Sequence, residues 1–350
     1  MKEKNDHRKN QNLFRRNTPL YITVLLAIAT GAAVYVFFPK PEDVKKMVVV
    51  SPDGSCMPEK IVLRSKDYPL THRVFLSDYK NEFAGLSSTK EKIAQYITQW
   101  KTTNQIQSAS VYYRNLSNGT WFAVNGNETY NPASLMKVSF LISILKQSER
   151  QPGLLNKEMH FEKHLPTTYD QSIRDFALEE NKNYSIKELL KYMIRYSDND
   201  ATELIMKNID LEVYSKIFTD LGIQPPDVHA VEANTEYYIN VIDCCKLFRV
   251  LYTSAYLHDE NSEFALELLT QSTYKDGLLK NLKSNFPVAH KFGERVMSNV
   301  QELHEIGIFY ADTKPYVLGV MTTGHDMKQL STVLGQISEI IYNESIVAAN

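Results

Sequence analysis

With 350 residues and nearly balanced charge, 39 Lys and Arg against 41 Asp and Glu for a net −2, the chain can bury a sizeable core. That balance gives no general electrostatic argument for nucleic acid or for an acidic surface partner. A hydrophobic share of 43% with 23% charged residues is ordinary for a globular protein. Cys56, Cys244 and Cys245 are too few for a disulfide framework and lack zinc-ligand spacing beside a histidine pair. No metal or other cofactor is therefore assigned, and the adjacent cysteine pair, in an apolar helical pattern, reads as core filling.

Residues 1–16 form a basic tail, with Lys2, Lys4, Arg8, Lys9, Arg15 and Arg16 against Glu3 and Asp6. The segment 17–38 reads as a transmembrane anchor. Its stretch 19–38 carries no charge for about 20 residues, enough to cross a bilayer as a helix, and Tyr21, Tyr35 and Phe37 lie towards its ends. The positive-inside bias places the tail in the cytoplasm and everything after Lys40 on the far side. A cleaved signal peptide is the competing reading; the length of the run and the lack of a small-x-small site weigh against it. Residues 39–87 are irregular and mixed in charge, a stalk or wrapping segment in which 47–50 reads as a short strand.

Ser88-Thr89-Lys90-Glu91 supplies capping chemistry for a helix running to about Gln105. The alternation of 107–114 predicts a strand, Ser117-Asn118-Gly119-Thr120 a hairpin turn and 121–124 the partner strand. From 134 to about 270 the apolar spacing is helical, with helices expected at 134–149, 185–196, 200–208, 211–221, 237–256 and 262–271. Strands at 287–294, 302–311 and 315–323 and an amphipathic helix at 327–342 close the chain. This order predicts an α/β (α+β) domain over 88–345. Its antiparallel sheet is built from both chain ends with flanking helices, and an all-helical subdomain is inserted at about 135–270.

Three short stretches carry chemistry. In 131–140 a loop delivers Ser134 to the first turn of an apolar helix, and Lys137, three positions on, shares its face. A lysine in a partly dry pocket can lose its charge and take a serine's proton, while the helix N-terminus offers N–H groups to an oxyanion. Ser-x-x-Lys is cheap, recurring at Ser77/Lys80, Ser87/Lys90, Ser143/Lys146 and Ser272/Lys275, so its value depends on its company downstream. Ser197-Asp198-Asn199 stands at a helix junction, where such residues ordinarily serve as N-caps. Lys291-Phe292-Gly293 lies on an expected strand, where a lysine beside a glycine sets a positive charge next to an approachable backbone.

In this order the three stretches resemble the S-x-x-K, S-D-N and K-T-G elements of class A β-lactamases and penicillin-binding proteins. The expected strands around 304–310 and 315–324 look like the paired core strands that come after the lysine strand there. The resemblance covers roughly 88–345. It implies that Ser134 forms an acyl-enzyme, that Lys137 is the acylation base or part of a proton relay, and that Ser197 passes a proton to the departing nitrogen. It further implies that Asn199 orients the substrate amide, and that Lys291 supplies a positive field and helps hold Ser197. The N–H groups of Ser134 and of Glu294, the residue after Gly293, would form the oxyanion hole. Two departures stand out. Phe292 replaces a hydroxyl residue that helps grip the substrate carboxylate, leaving Arg295 as the compensating partner. The familiar Glu-x-x-Leu-Asn wording of the deacylating loop is missing, and Glu232 and Glu236 are the nearest carboxylates, each more naturally a surface or helix N-terminal residue.

The reading is a membrane-anchored, extracytoplasmic serine hydrolase acting on a β-lactam or related amide. Its alternatives are a peptidase or esterase acting on cell-wall peptides and a non-catalytic peptidoglycan-binding module. Nucleic acid is not expected as a partner.

Overall fold

The computed structural model describes residues 81–166, 173, 176–227, 236–283, 286–311 and 314–345, and the backbone of 61–63 and 73–75. The basic tail, the expected anchor at 17–38, the strand read at 47–50 and Glu232 lie outside the described residues. Among the described residues no helix is long and apolar enough to cross a membrane. Within the segment read as a stalk, β1 (Ile61–Leu63) and β2 (Arg73–Phe75) pair antiparallel.

The main sheet has five strands in the order β4-β3-β11-β10-β9, every neighbour antiparallel. Here β3 is Ile106–Asn115 and β4 is Trp121–Val124, from the first part of the chain; β9 (Val288–Val296), β10 (Gln301–Phe309) and β11 (Tyr316–Gly324) come from the last. The expected joining of both chain ends in one sheet is thus found. Both faces of the sheet are covered, which is why β11 at its centre reads as a near-continuous apolar run. One face packs on α1 (Ser87–Thr102) and α8 (Met327–Ser345) through Ile93, Ile97, Leu330, Val333, Leu334 and Ile337, all 0–2% exposed. The other face packs on the helical block.

That block holds α2 (Lys137–Ser148), α3 (Ile186–Arg195), α4 (Asn199–Met206), α5 (Leu211–Asp220), α6 (Val241–Tyr252) and α7 (Asp259–Thr270). Val138, Leu141, Ile142, Ile144 and Leu145 cover most of the circumference of α2 and all are fully buried, so it forms the centre of the block. Cys244 and Cys245 are free, buried thiols in the same core. A Cβ at Gly319 on β11 would stand 2.5 Å from Cys245 Sγ, so the glycine is what lets α6 approach the sheet.

Caps explain most helix starts. Ser185 and Glu188 form a capping box ahead of α3, and Asp198 and Asn240 cap α4 and α6. The expected cap for α1 is a correction. That helix is entered from a 3-10 turn (Ala84–Leu86) and begins at Ser87, with Leu86 at the cap position and no side-chain cap bond. Ser88 and Thr89 therefore sit inside its first turn. Two small ladders were not anticipated: β5 (Thr129–Tyr130) with β8 (Ile239–Asn240), and β6 (Glu158–Phe161) with β7 (Lys182–Ser185). Helices expected at 237–256 and 262–271 are observed as α6 and α7, because β8 and the Asn240 cap claim the first residues of one and α7 starts three residues early.

Candidate active site

Ser134 sits half-buried in a 3-10 turn (Ala133–Met136) that runs directly into α2. Its predecessor Ala133 has φ +47°, a left-handed conformation that costs a non-glycine residue on the order of 1–2 kcal/mol. Two side chains of β10 hold the loop before it. His304 bonds the Asn131 carbonyl through Nε2 at 3.0 Å, and Glu302 accepts a hydrogen bond from the Asn131 backbone. Because Thr322 N–H donates to His304 Nδ1 at 3.1 Å, the ring proton is on Nε2 and points at Asn131. Burial pushes the His304 pKa down to about 4, so the ring is neutral. Neither His304 nor Glu302 was assigned a role from the sequence. The available signal was that Glu302 and His304, at i and i+2, share one face of the strand.

Across from this loop lies β9. A Cβ at Gly293 would stand 2.6 Å from the Pro132 carbonyl oxygen, 3.1 Å from Leu135 N and 3.2 Å from Ser134 N. Only a glycine lets the strand backbone come this close to the Ser134 turn. Glu294, the residue after Gly293, lies close enough for its charge to act on Lys137 and Lys291.

Lys137 is 4% exposed and donates to Ser197 O at 2.5 Å, Asn199 Oδ1 at 2.7 Å and Ser197 Oγ at 3.2 Å. Desolvation lowers its pKa to about 7, against the opposing pull of Asp198 and Glu294. Among the described residues no hydrogen bond joins Lys137 to Ser134. An ammonium has three donors and here uses all three; the neutral amine has two and a lone pair, so losing the proton releases one acceptor and makes the nitrogen a base. Lys291 is fully buried and donates to Ser197 Oγ at 2.9 Å and to the Phe292 carbonyl at 2.8 Å. Burial, followed by the charge of Lys137, holds its pKa well below the lysine range. Ser197 thus links the two lysines, and it has φ +57°, held by the Asp198 N–H bond to Tyr192 O. Helix α4 begins at Asn199, which its capping residue Asp198 orients towards Lys137.

The structure therefore brings Ser134, Lys137, Ser197, Asn199, Lys291, Gly293 and Glu294 to one place. A family model described as the beta-lactamase enzyme family matches residues 89–345, spanning all of them. The chain belongs to that family. Solved structures share its fold. A beta-lactamase from Chitinophaga pinensis is 21% identical with a TM-score of 0.63, covering 74% of this chain and 100% of that one. The TLA-1 extended-spectrum beta-lactamase is 18% identical with a TM-score of 0.65, covering 75% and 99%. PBP-A is 19% identical with a TM-score of 0.60, covering 74% and 96%. This beta-lactamase-family protein is a serine hydrolase with the α/β architecture of those structures.

The remaining sequence-derived residues are placed differently. Arg295, expected to take a substrate carboxylate, is paired with Glu236 and lies 3.7 Å from Glu302. Glu236, one of the two carboxylates considered for activating water, is exposed and bonded to both Arg295 and Tyr238. The Arg295 hydrogen bond pulls its pKa below the carboxylate range. Phe292 is buried and stacks on Tyr274 with ring centroids 4.0 Å apart.

Proposed function

We propose that this serine hydrolase opens β-lactams or related amides through an acyl-enzyme on Ser134. The observation that carries the reading is the buried chain Lys137–Ser197–Lys291, laid beside a turn whose serine amide meets the Gly293 backbone. Neutral Lys137 takes the Ser134 proton as Oγ bonds to the carbonyl carbon. Lys137 passes that proton on to Ser197, which, held by Lys291, gives its own proton to the departing nitrogen as the C–N bond breaks. Asn199 orients Lys137 and the substrate amide, and the N–H groups of Ser134 and Glu294 receive the oxyanion. Water then cleaves the ester and restores Ser134.

A second reading, a cell-wall peptidase or esterase that holds its acyl group for long, draws on the engagement of Glu236 with Arg295 and Tyr238, which leaves that carboxylate unsuited to activate water. A PBP-A variant has been captured as an acyl-enzyme complex with penicillin G, and its fold similarity to this chain, a TM-score of 0.60 at 19% identity, is comparable to that of the beta-lactamases. We further propose that 17–38 anchors the protein in a membrane with the hydrolase domain on the extracytoplasmic side, on the strength of the basic tail and the uncharged run after it.

The test is incubation of the full chain with a chromogenic cephalosporin and a fluorescent penicillin, with Ser134→Ala as control. Turnover that Ser134→Ala abolishes supports a β-lactamase, and a persistent serine-dependent label supports the penicillin-binding reading. No serine-dependent reaction with either probe would sink both.

A further inference from the structure

One acid in the sheet is buried as completely as any core residue and takes no part in the proposed acyl transfer. Glu305, on β10 directly opposite Phe292 of β9, is fully buried, as is His290 on β9. A carboxylate is kept this dry only where hydrogen bonds compensate it. Here each oxygen is met by a different element. Oε1 lies 2.6 Å from His290 Nδ1, and Oε2 accepts from the Leu278 N–H at 2.6 Å. Among the described residues His290 Nε2 has no hydrogen-bond partner, so the imidazole proton belongs on Nδ1, donating to Glu305. Leu278 lies in a strap, 273–282, that leads from the end of α7 towards β9. At its start the Thr273 N–H donates to the Arg195 carbonyl at 3.2 Å, two residues before Ser197. Between these two ties Tyr274 lies flat on the Phe292 ring, and that ring centroid is 4.2 Å from Lys291 Nζ. A Cβ at Gly277 would stand 1.9 Å from Glu305 Oε2, so the strap rests directly on the carboxylate.

We propose that Glu305 is a positioning residue for acyl transfer: it ties the 273–282 strap to β9, so that Tyr274 stays seated on Phe292 and Lys291 stays on Ser197. The inference rests on Ser134 being the acylated residue and Ser197 the proton carrier. Neither Glu305 nor His290 reaches a substrate, since both are wholly buried. Their influence passes through Lys291, by contact along the strap and by charge. Burial, and next the charge of Lys137, depress the Lys291 pKa, while Glu294 and Glu305 oppose that depression. A lone phenyl ring turns readily about its χ2 torsion, and a second ring stacked on it fixes its plane. The Lys291 ammonium, which donates to Ser197 Oγ and the Phe292 carbonyl and sits over the Phe292 ring, moves with that ring. Without Glu305 the Leu278 N–H and the imidazole are left dry and unpaired, which drives the strap off the sheet. Further along, Lys280 bonds Ser331 at 2.7 Å and Asn281 bonds Glu339 at 3.1 Å, both on α8. Losing Glu305 therefore frees the half of the strap that carries Tyr274 and leaves the other half tied.

The experiment measures serine-dependent acylation of the full chain by a chromogenic cephalosporin in the parent, Ser134→Ala, Glu305→Leu, Tyr274→Ala and the Glu305→Leu/Tyr274→Ala double variant, with thermal unfolding alongside. Glu305→Leu is expected to lower the acylation rate by about tenfold at temperatures where the variant is still folded. Tyr274→Ala is expected to cost about the same, and the double variant no more than either alone, because both act on Lys291 through one ring. A purely structural acid would lower the unfolding temperature and show no such coupling in rate. Losses that multiply in the double variant, or a rate within about twofold of the parent in either folded single variant, overturn the inference while leaving acyl transfer at Ser134 intact. Absence of serine-dependent acylation in the parent overturns the acyl-transfer reading and this one with it. If Glu305→Leu does not fold, Gly277→Ala takes its place in the same cycle, since it keeps the buried pair and pushes the strap away with the added methyl. The same loss, again not multiplied by Tyr274→Ala, is expected there, and parent-like acylation overturns the inference.

Discussion

The helix-borne half of the site and its strand-borne half use the same kinds of groups to opposite ends. On the helical side, Ser134, Lys137, Ser197 and Asn199 stand at helix starts and turns, and Lys137 is hydrogen-bonded to both Ser197 and Asn199. Those bonds can be exchanged, because Lys137 holds more acceptors than its neutral form can serve. On the strand side, Lys291 and Arg295 are fixed by a carbonyl, an aromatic face and a carboxylate that belong to the protein. In the proposed mechanism the first half passes a proton while the second stays put. A residue's type shows what a site can contain; what its neighbours leave unsatisfied decides what the site can bind.

The sharpest way to break this contrast is at its mobile proton. Lys137→Met is expected to lower Ser134 acylation by about a thousandfold, within the range for removing a positioned general base. In the parent, the sign of the pH dependence is set by the Lys137 pKa of about 7. The base is the unprotonated amine, so acylation is small below that value, rises as pH passes through it and levels off above. Stopped-flow acylation across neutral pH checks this, and a rate that falls as pH rises through 7 would remove Lys137 from the role.

Next in size is the seam where the halves touch. Gly293→Ala places a methyl 2.6 Å from the Pro132 carbonyl oxygen, a separation that the backbone must relieve by moving β9 and the nucleophile turn apart. A displacement near 1 Å between reacting groups costs about a hundredfold. The expected result is that loss in acylation rate at nearly unchanged thermal stability. Parent-like acylation would show that the turn and the strand need not meet this closely.

How much of this was legible depends on how far each feature reaches along the chain. Ser134 with Lys137, and Ser197 with Asp198 and Asn199, are local wordings whose geometry a helix start dictates, and Lys291 with Gly293 is local to one strand. The sheet from both chain ends was implied by alternation in 107–114 and by the strand patterns of 287–294, 302–311 and 315–323. What stayed hidden needs register or long-range packing. Tyr274 stacks on Phe292 from 18 residues earlier (292 − 274), and Glu236 meets Arg295 across a larger gap, with no periodicity to announce either. The β6–β7 ladder was missed because each strand is only four residues long and buries a single residue, Phe161 or Tyr184. The α1 cap misled because capping residues are only potential caps until the incoming chain sets the start, and here the 3-10 turn set it one residue early.

The smallest effect concerns His304, which acts on the site only through the loop. Its imidazole joins β11 to the nucleophile loop, taking the Thr322 N–H at one nitrogen and giving its proton to Asn131 O at the other. The ring of Tyr130 meets it edge-on with centroids 5.4 Å apart, and Tyr130 is in turn tied by its hydroxyl to Ser110, so the imidazole is held in orientation as well as in place. His304→Leu keeps the bulk and removes both bonds. Losing one neutral hydrogen bond is worth about 1 kcal/mol, about fivefold in rate if the loop's order is what the reaction needs. His304→Gln can restore the donor to Asn131 and is expected to recover most of that loss. Because the imidazole spends both its nitrogens on Asn131 and Thr322, the change should fall on kcat and leave KM within about twofold. If the two variants lose stability equally and both keep the parent kcat, His304 supports the sheet alone, and the loop before Ser134 owes its shape to Glu302 and to its own turn.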